Sequence, residues 1–279
     1  MSGAISIFDA VVLGVVEGLT EFLPVSSTGH LTITESLLGL ALDDPTVTAY
    51  TAIIQFGAIV ATFLYFRADF ARMVTAWVGG LRDPERRQHQ DYRFAWAVIL
   101  GSLPIGVIGW AGRDLIEGPL RSLWAVAASL IGWSLVMWVA ERRAIQKYGE
   151  EDLGVRQVLV IGLAQCLALV PGVSRSGATI SGGLLLGTTR VAATRLSFFL
   201  AVPALTGAAL FQARDIDTAV AGWGSITTGL LVSFAIAYAS IAWLLHLVAK
   251  YPITVFVPYR VAAGLVLAGL LATGTISAT

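Results

Sequence analysis

Glu17 and Glu21 stand four residues apart in the stretch VVEGLTEFLPVSSTGHL, so on a helix they share one face, one turn from each other. Pro24 makes that helix hard to continue, and Ser26, Ser27, Thr28, Gly29 and His30 follow at once. Two carboxylates this close in a medium of low dielectric cannot both ionise cheaply. Either one stays protonated and can work as an acid or base, or a cation sits between them. A second polar stretch, PGVSRSGAT from Pro171 to Thr179, brings the opposite charge. Arg175, flanked by Ser174 and Ser176 and followed by Thr179, stands where a helix would start with glycine-freed N–H groups. A guanidinium in that setting is a cradle for phosphate oxygens. A hard divalent ion with oxygen ligands suits acids and phosphate together.

Each of these residues also has a plainer reading. Ser26, Ser27 and Thr28 could cap the helix that follows them. Glu17 and Glu21 could form an exposed face near a membrane edge, His30 could be structural, and Arg175 could be no more than a counter-ion to the glutamates. The high cost of placing acids inside a membrane weighs toward function. Gln55, Gln212 and His246 have no evident partner and read as packing or helix–helix hydrogen bonds.

The elements that would position this cluster follow from composition. The chain has 279 residues, is 56% hydrophobic and only 13% charged, against about a quarter charged in an average soluble domain. Six apolar stretches approach the roughly 20 residues a spanning helix needs: Val47–Phe66, Phe94–Gly112, Ser122–Ala140, Leu196–Phe211, Trp223–Ala249 and Val255–Ala272. Eight Trp and seven Tyr suit a protein with two membrane interfaces. The 18 basic and 18 acidic residues cancel, which argues against a nucleic-acid partner. The single cysteine, Cys166, excludes an internal disulfide and a multi-cysteine metal cluster. Asp9 and the lack of a basic start predict no cleavable signal peptide.

The segments around the two polar stretches are too short and broken to span. They read as re-entrant helical hairpins, the second covering Gln157–Thr189 with breaks at Pro171-Gly172, Gly177, Gly182 and Gly183. Sliding the sequence by 148 residues lays Val11–Gly39 on Leu159–Gly187 without gaps, and nine of the 29 positions agree, among them Gly14, Val25, Ser26, Gly29 and Gly39. The fold class expected is therefore an all-α polytopic membrane protein. It is one integral membrane domain with six transmembrane helices and two re-entrant hairpins arranged as an inverted repeat, about 1–140 and 150–279. In that alignment Arg175 falls on Ser27 and Gln165 on Glu17. If the tips meet, Arg175 faces Glu17, Glu21, Ser27 and His30. The six arginines of the polar loop Arg67–Arg93 predict a cytoplasmic loop. The first hairpin then enters from outside, both termini lie outside, and so does the linker with Asp215 and Asp217.

These two stretches, EGLTEFLPVSSTGH and PGVSRSGAT, resemble the signature motifs of the undecaprenyl-diphosphate phosphatases, or bacitracin resistance proteins, and the resemblance covers nearly the whole chain. It implies removal of the terminal phosphate of undecaprenyl diphosphate to give the monophosphate that carries cell-wall precursors. It also implies dependence on a divalent cation such as Mg2+ or Ca2+, and a site in the bacterial plasma membrane reached from the extracytoplasmic side. In that scheme Glu17, Glu21, Ser27, His30 and Arg175 form the catalytic set, with Glu17 and Glu21 as candidate metal ligands. Ser26, Thr28, Ser174, Ser176 and Thr179 bind substrate. Ser27, His30 and water remain open as the nucleophile, with Ser27 activated by Glu21 or His30. The partners expected are the prenyl diphosphate lipid and membrane lipids, and a homo-oligomer is compatible. Inverted repeats with broken helices also suit a transporter or lipid flippase.

Overall fold

The computed structural model describes residues 5–42, 44–118, 120, 122–212 and 221–277; Asp215 and Asp217 lie outside them. Six helices are long and apolar enough to cross a membrane, and no strand occurs among the described residues. They are α3 (Pro45–Tyr65), α5 (Gln90–Ala111), α7 (Leu123–Arg143), α10 (Arg190–Gln212), α11 (Trp223–Lys250) and α12 (Val257–Ala272), the last extended backward by the 3-10 turn Ile253–Phe256. The chain is an all-α, multi-pass membrane protein. Between them lie α1 (Ile7–Thr20), α2 (Ser27–Leu37), α4 (Arg67–Arg82), α6 (Arg113–Glu117), α8 (Val155–Gln165) and α9 (Arg175–Leu185).

Helices α1, α2, α8 and α9 are 14, 11, 11 and 11 residues long. At about 1.5 Å per residue none reaches across a hydrocarbon layer of about 30 Å. Each pair, α1–α2 and α8–α9, folds back on itself at an irregular turn. Backbone conformation matches between the pairs at positions 148 apart: Ser26 and Ser174 have φ of 79° and 82°, and Gly39 and Gly187 have φ of 72° and 85°. The packing partners match too. Gly14 of α1 lets α11 approach so closely that a Cβ there would lie 2.9 Å from the Gly229 carbonyl oxygen. Gly162 of α8 sits in the same way against the Gly101 backbone of α5. Without side chains between them, the helix backbones make the short contacts that hold apolar helices together in lipid.

Two local expectations need correction. Gly177, Gly182 and Gly183 do not break the second arm, because α9 runs through all three. A Cβ at Gly183 would meet the Ala193 Cβ at 2.8 Å, so tertiary packing requires the missing side chain there. The polar loop Arg67–Arg93 is mostly helix as well, α4 followed by the 3-10 turn Pro84–Gln88. Phe70 and Met73 bury α4 in an aromatic core with Phe22, Phe66, Phe94, Phe198 and Phe199. Its polar face is tied down by Arg72 on Asp69 and Asp91, and by Arg195 of α10 on Asp69 and Glu150. Arg190 of α10 pairs with Glu141 of α7 in the same manner.

Gly172, in the turn before α9, has φ of +96°, and a Cβ would lie 2.6 Å from the Val126 carbonyl oxygen. Gly172→Ala therefore combines left-handed strain of about 1–2 kcal/mol with a forced backbone shift. Thermal unfolding in detergent should show a clear loss of stability. Gly207→Ala in α10, where nothing lies within 4 Å, should show none.

Candidate active site

The two turns meet inside the bundle, and backbone chemistry explains how. A broken helix leaves carbonyl and N–H groups without partners, and each must be satisfied locally in an apolar interior. Ser26 and Ser174 cap the following helices, their Oγ atoms accepting from the N–H of Gly29 (3.3 Å) and Gly177 (3.1 Å). Ser26 Oγ also accepts from the N–H of Gly172 in the opposite turn at 3.1 Å. Ser176 Oγ donates back to the Leu23 carbonyl oxygen at 2.9 Å. Arg260 of α12, fully buried, completes the joint. Its guanidinium donates to the carbonyl oxygens of Pro24 (2.8 Å), Gly172 (2.9 Å) and Val173 (3.2 Å), and to Ser134 Oγ at 3.3 Å.

On this joint the ionisable groups converge. Glu21 Oε1 pairs with Arg175 Nη2 at 3.2 Å, and both side chains are almost wholly buried. Arg175 is aimed by its other arm, Nη1 donating to the Ser197 carbonyl oxygen at 2.7 Å. Glu21 Oε2 accepts from Ser27 Oγ at 2.6 Å and from Gln55 Nε2 at 3.3 Å. Glu17, one turn earlier on α1, is fully buried. Neither of its carboxylate oxygens has a hydrogen-bond partner among the described residues, and the same holds for Arg175 Nε. Ser27 keeps partial exposure. The arrangement is a hydroxyl held by a carboxylate, beside a guanidinium with unused donor capacity, which is what attack on a phosphorus atom requires.

The remaining candidates divide. No hydrogen bond joins His30 to Ser27 or Glu21 among the described residues. Its Nδ1 lies 2.7 Å from the Ser26 carbonyl oxygen and its Nε2 lies 2.7 Å from Tyr259 Oη. Thr28 is exposed at the start of α2. The hydroxyls of Ser26, Ser174 and Ser176 are engaged in the turns. Thr179, buried, donates to the Arg175 carbonyl oxygen at 2.9 Å and approaches Gln165 Oε1 at 3.4 Å.

Gln55 finds its partner here: of the two readings, packing or a helix–helix hydrogen bond, it takes the second, from α3 to Glu21 at the end of α1. His246 faces Lys250 on the surface at 3.0 Å. Arg260 and Tyr259 were not anticipated as site residues. The signal was present, since Arg260 is the one charge in an otherwise apolar span, and an intramembrane arginine needs a reason.

Replacing Arg260 with Met removes the donors and leaves three buried carbonyls unsatisfied, each at a cost of about 1–3 kcal/mol. The variant should lose several degrees of thermal stability in detergent. Arg260→Lys, which cannot reach all three carbonyls at once, should fall between Met and wild type.

Residues 10–266 match the family described as "Bacitracin resistance protein BacA". The chain is 57% identical to "Undecaprenyl-diphosphatase 3" of Frankia casuarinae, over 98% of this chain and all of the relative. It is 56% identical to "Undecaprenyl-diphosphatase 1" of Streptomyces coelicolor, over 98% and 99%. It is 51% identical to "Undecaprenyl-diphosphatase" of Acidothermus cellulolyticus, over 96% and 98%. With its polar turns joined and nearly its full length matched, this chain belongs to the bacitracin resistance protein BacA family.

Proposed function

We propose that the chain is a membrane phosphatase that removes the terminal phosphate of undecaprenyl diphosphate. The observation that carries this reading is the array Ser27–Glu21–Arg175, assembled at hydrogen-bond distances from two distant parts of the sequence. The names of relatives at 51–57% identity supply the lipid.

In the first step Glu21 takes the Ser27 proton as the Oγ–P bond forms, and the bond from phosphorus to the bridging oxygen breaks. Undecaprenyl phosphate departs with the bonding electron pair. Arg175 binds the transferring group and offsets charge as it builds on the phosphoryl oxygens. Water then attacks the phosphoserine, Ser27 Oγ leaves with the proton returned by Glu21, and both water hydrogens depart on the phosphate. Glu21 suits the base role better than His30, because Glu21 is the group that Ser27 touches. Ser27 suits the nucleophile role better than His30, whose ring nitrogens both have other partners. The hydroxyls of Ser26, Ser174 and Ser176 serve the reaction by holding the turns, and that of Thr179 by bonding to the Arg175 backbone carbonyl. Thr28 is left as the hydroxyl free to meet substrate.

The charges frame the question of a metal. Arg175 is already paired with Glu21, so an incoming diphosphate brings more negative charge than this guanidinium alone offsets. No group of three or more metal-ligating side chains occurs among the described residues. The donors present still fit a Mg2+-like ion, which binds through one or two carboxylates and completes its shell with phosphate and water. Glu17, with both oxygens unpartnered, and Glu21 would hold it, and when bound it would neutralise phosphoryl charge.

The apparent inverted repeat supports reading α1–α2 and α8–α9 as re-entrant pairs entering from opposite faces, since three long helices, α3, α5 and α7, separate them. The arginines of α4 and the turn after it support a cytoplasmic position for that end. The first pair then enters from the extracytoplasmic side, which is the side assigned here to the site.

Phosphate release from C55 diphosphate in detergent tests the whole reading. Glu21→Ala and Ser27→Ala should lower kcat by about 10²–10⁴, and Arg175→Ala by about 10³ or more. Wild-type rates in folded variants would remove the site assignment. Trapped phosphoenzyme should map to Ser27; phosphohistidine at His30 would transfer the nucleophile there. Chelator should abolish activity and Mg2+ or Ca2+ should restore it, with Glu17→Gln needing more cation for the same rate. Translocation of lipid in vesicles without phosphate release would favour the transporter reading.

A further inference from the structure

Tyr259 lies immediately before Arg260 on α12, 229 residues from His30 in the chain, yet its hydroxyl sits 2.7 Å from His30 Nε2. The two rings are nearly parallel, with centroids 5.6 Å apart and planes 13° apart. On the other side of the imidazole, Nδ1 lies 2.7 Å from the Ser26 carbonyl oxygen. A carbonyl oxygen only accepts, so Nδ1 carries a proton. In the neutral ring Nε2 is then the acceptor, and the Tyr259 hydroxyl is its donor. The tautomer of His30 is set by two groups, one from its own turn and one from α12.

Resting on the phosphatase reading above, we propose that Tyr259 is a positioning residue for His30. It holds the imidazole in one orientation and one tautomer, with Nδ1 on the Ser26 carbonyl oxygen and Nε2 on the Tyr259 hydroxyl. Two features favour this over simple packing. Tyr259 is 52% exposed, so its ring is not needed to fill a core. Its neighbour Arg260 is anchored to both turns, which fixes Tyr259 relative to the reaction centre. His30 is one helical turn from Ser27 on α2, so the two side chains share a face. Held by these two contacts, the imidazole keeps one fixed placement beside Ser27 through the reaction. The hydroxyl donates to the neutral ring and accepts from the protonated one, so it supports both states without moving.

A double-mutant cycle with C55 diphosphate separates this role from a structural one. Tyr259→Phe should lower kcat about tenfold or more and leave KM within about twofold. In a His30→Ala background the same change should cost nothing further, because the group it serves is gone. Equal losses in both backgrounds, or an unaltered kcat in Tyr259→Phe, would overturn the proposal. Absence of phosphate release by the wild type would instead overturn the phosphatase reading.

A second measurement does not depend on activity or on the variant's stability. The chain has only three histidines, so 15N-histidine labelling gives an assignable spectrum. At a pH where His30 is neutral, the wild type should show the proton on Nδ1 and a hydrogen-bonded Nε2. A proton on Nε2 there would be equally fatal.

Discussion

A backbone broken inside an apolar bundle has to find partners for the groups it frees, and Arg260 provides them for both breaks at once. Its guanidinium spends its donors on carbonyl oxygens of the two turns and on Ser134, with no carboxylate in the arrangement. A buried arginine without an acid is costly unless its hydrogen bonds are filled. Here the cost of burying the charge is offset by satisfying carbonyls that would otherwise be stranded. Ser26 on Gly172 and Ser176 on Leu23 close the joint from either side. Everything chemical at the site is mounted on this contact, because it sets the distance between the turn that carries Glu21 and the turn that carries Arg175.

The two turns share a scaffold and differ in what they display. Ser26 and Ser174 adopt nearly the same left-handed conformation, rarely seen outside glycine, and each caps the helix after it. One position further on, the first turn presents Ser27 and the second presents Arg175. Ten positions earlier, on the incoming helices, Glu17 matches Gln165. Similar backbones therefore bring unlike groups face to face. A hydroxyl with its carboxylate partner comes from one turn and a guanidinium from the other.

At the polar end of the bundle, ion pairs do a different task. Glu141 holds Arg190 and the Ile253 N–H, while Arg195 joins Asp69 and Glu150 and lies over the rings of Phe66 and Phe199. These contacts link α7, α10, α4 and the start of the α12 segment. They brace the helices that carry Ser197 and Arg260, and so the residues that aim Arg175 and join the turns.

Much was legible in the sequence. Long uncharged runs and helical spacing identify the six spans, because twenty apolar residues in succession have one common use. The acids, hydroxyls and arginine stood out because polar groups are rare and costly in such a chain, and the offset of 148 paired their positions. Side-chain direction was not legible, since it depends on what packs against each position. The sequence could not tell that Ser174 and Ser176 would spend their hydroxyls on the turns and Thr179 on the backbone of α9, nor that Gln55 would reach Glu21. It could not show that the glycines of α9 would pack rather than break the helix. Nor could it show that Tyr259 and Arg260, over two hundred residues away, would close on His30 and on both turns. Residue types and periodicity are local properties and survive in one dimension. The choice of partner for each polar atom is made only when distant backbones meet and water is excluded.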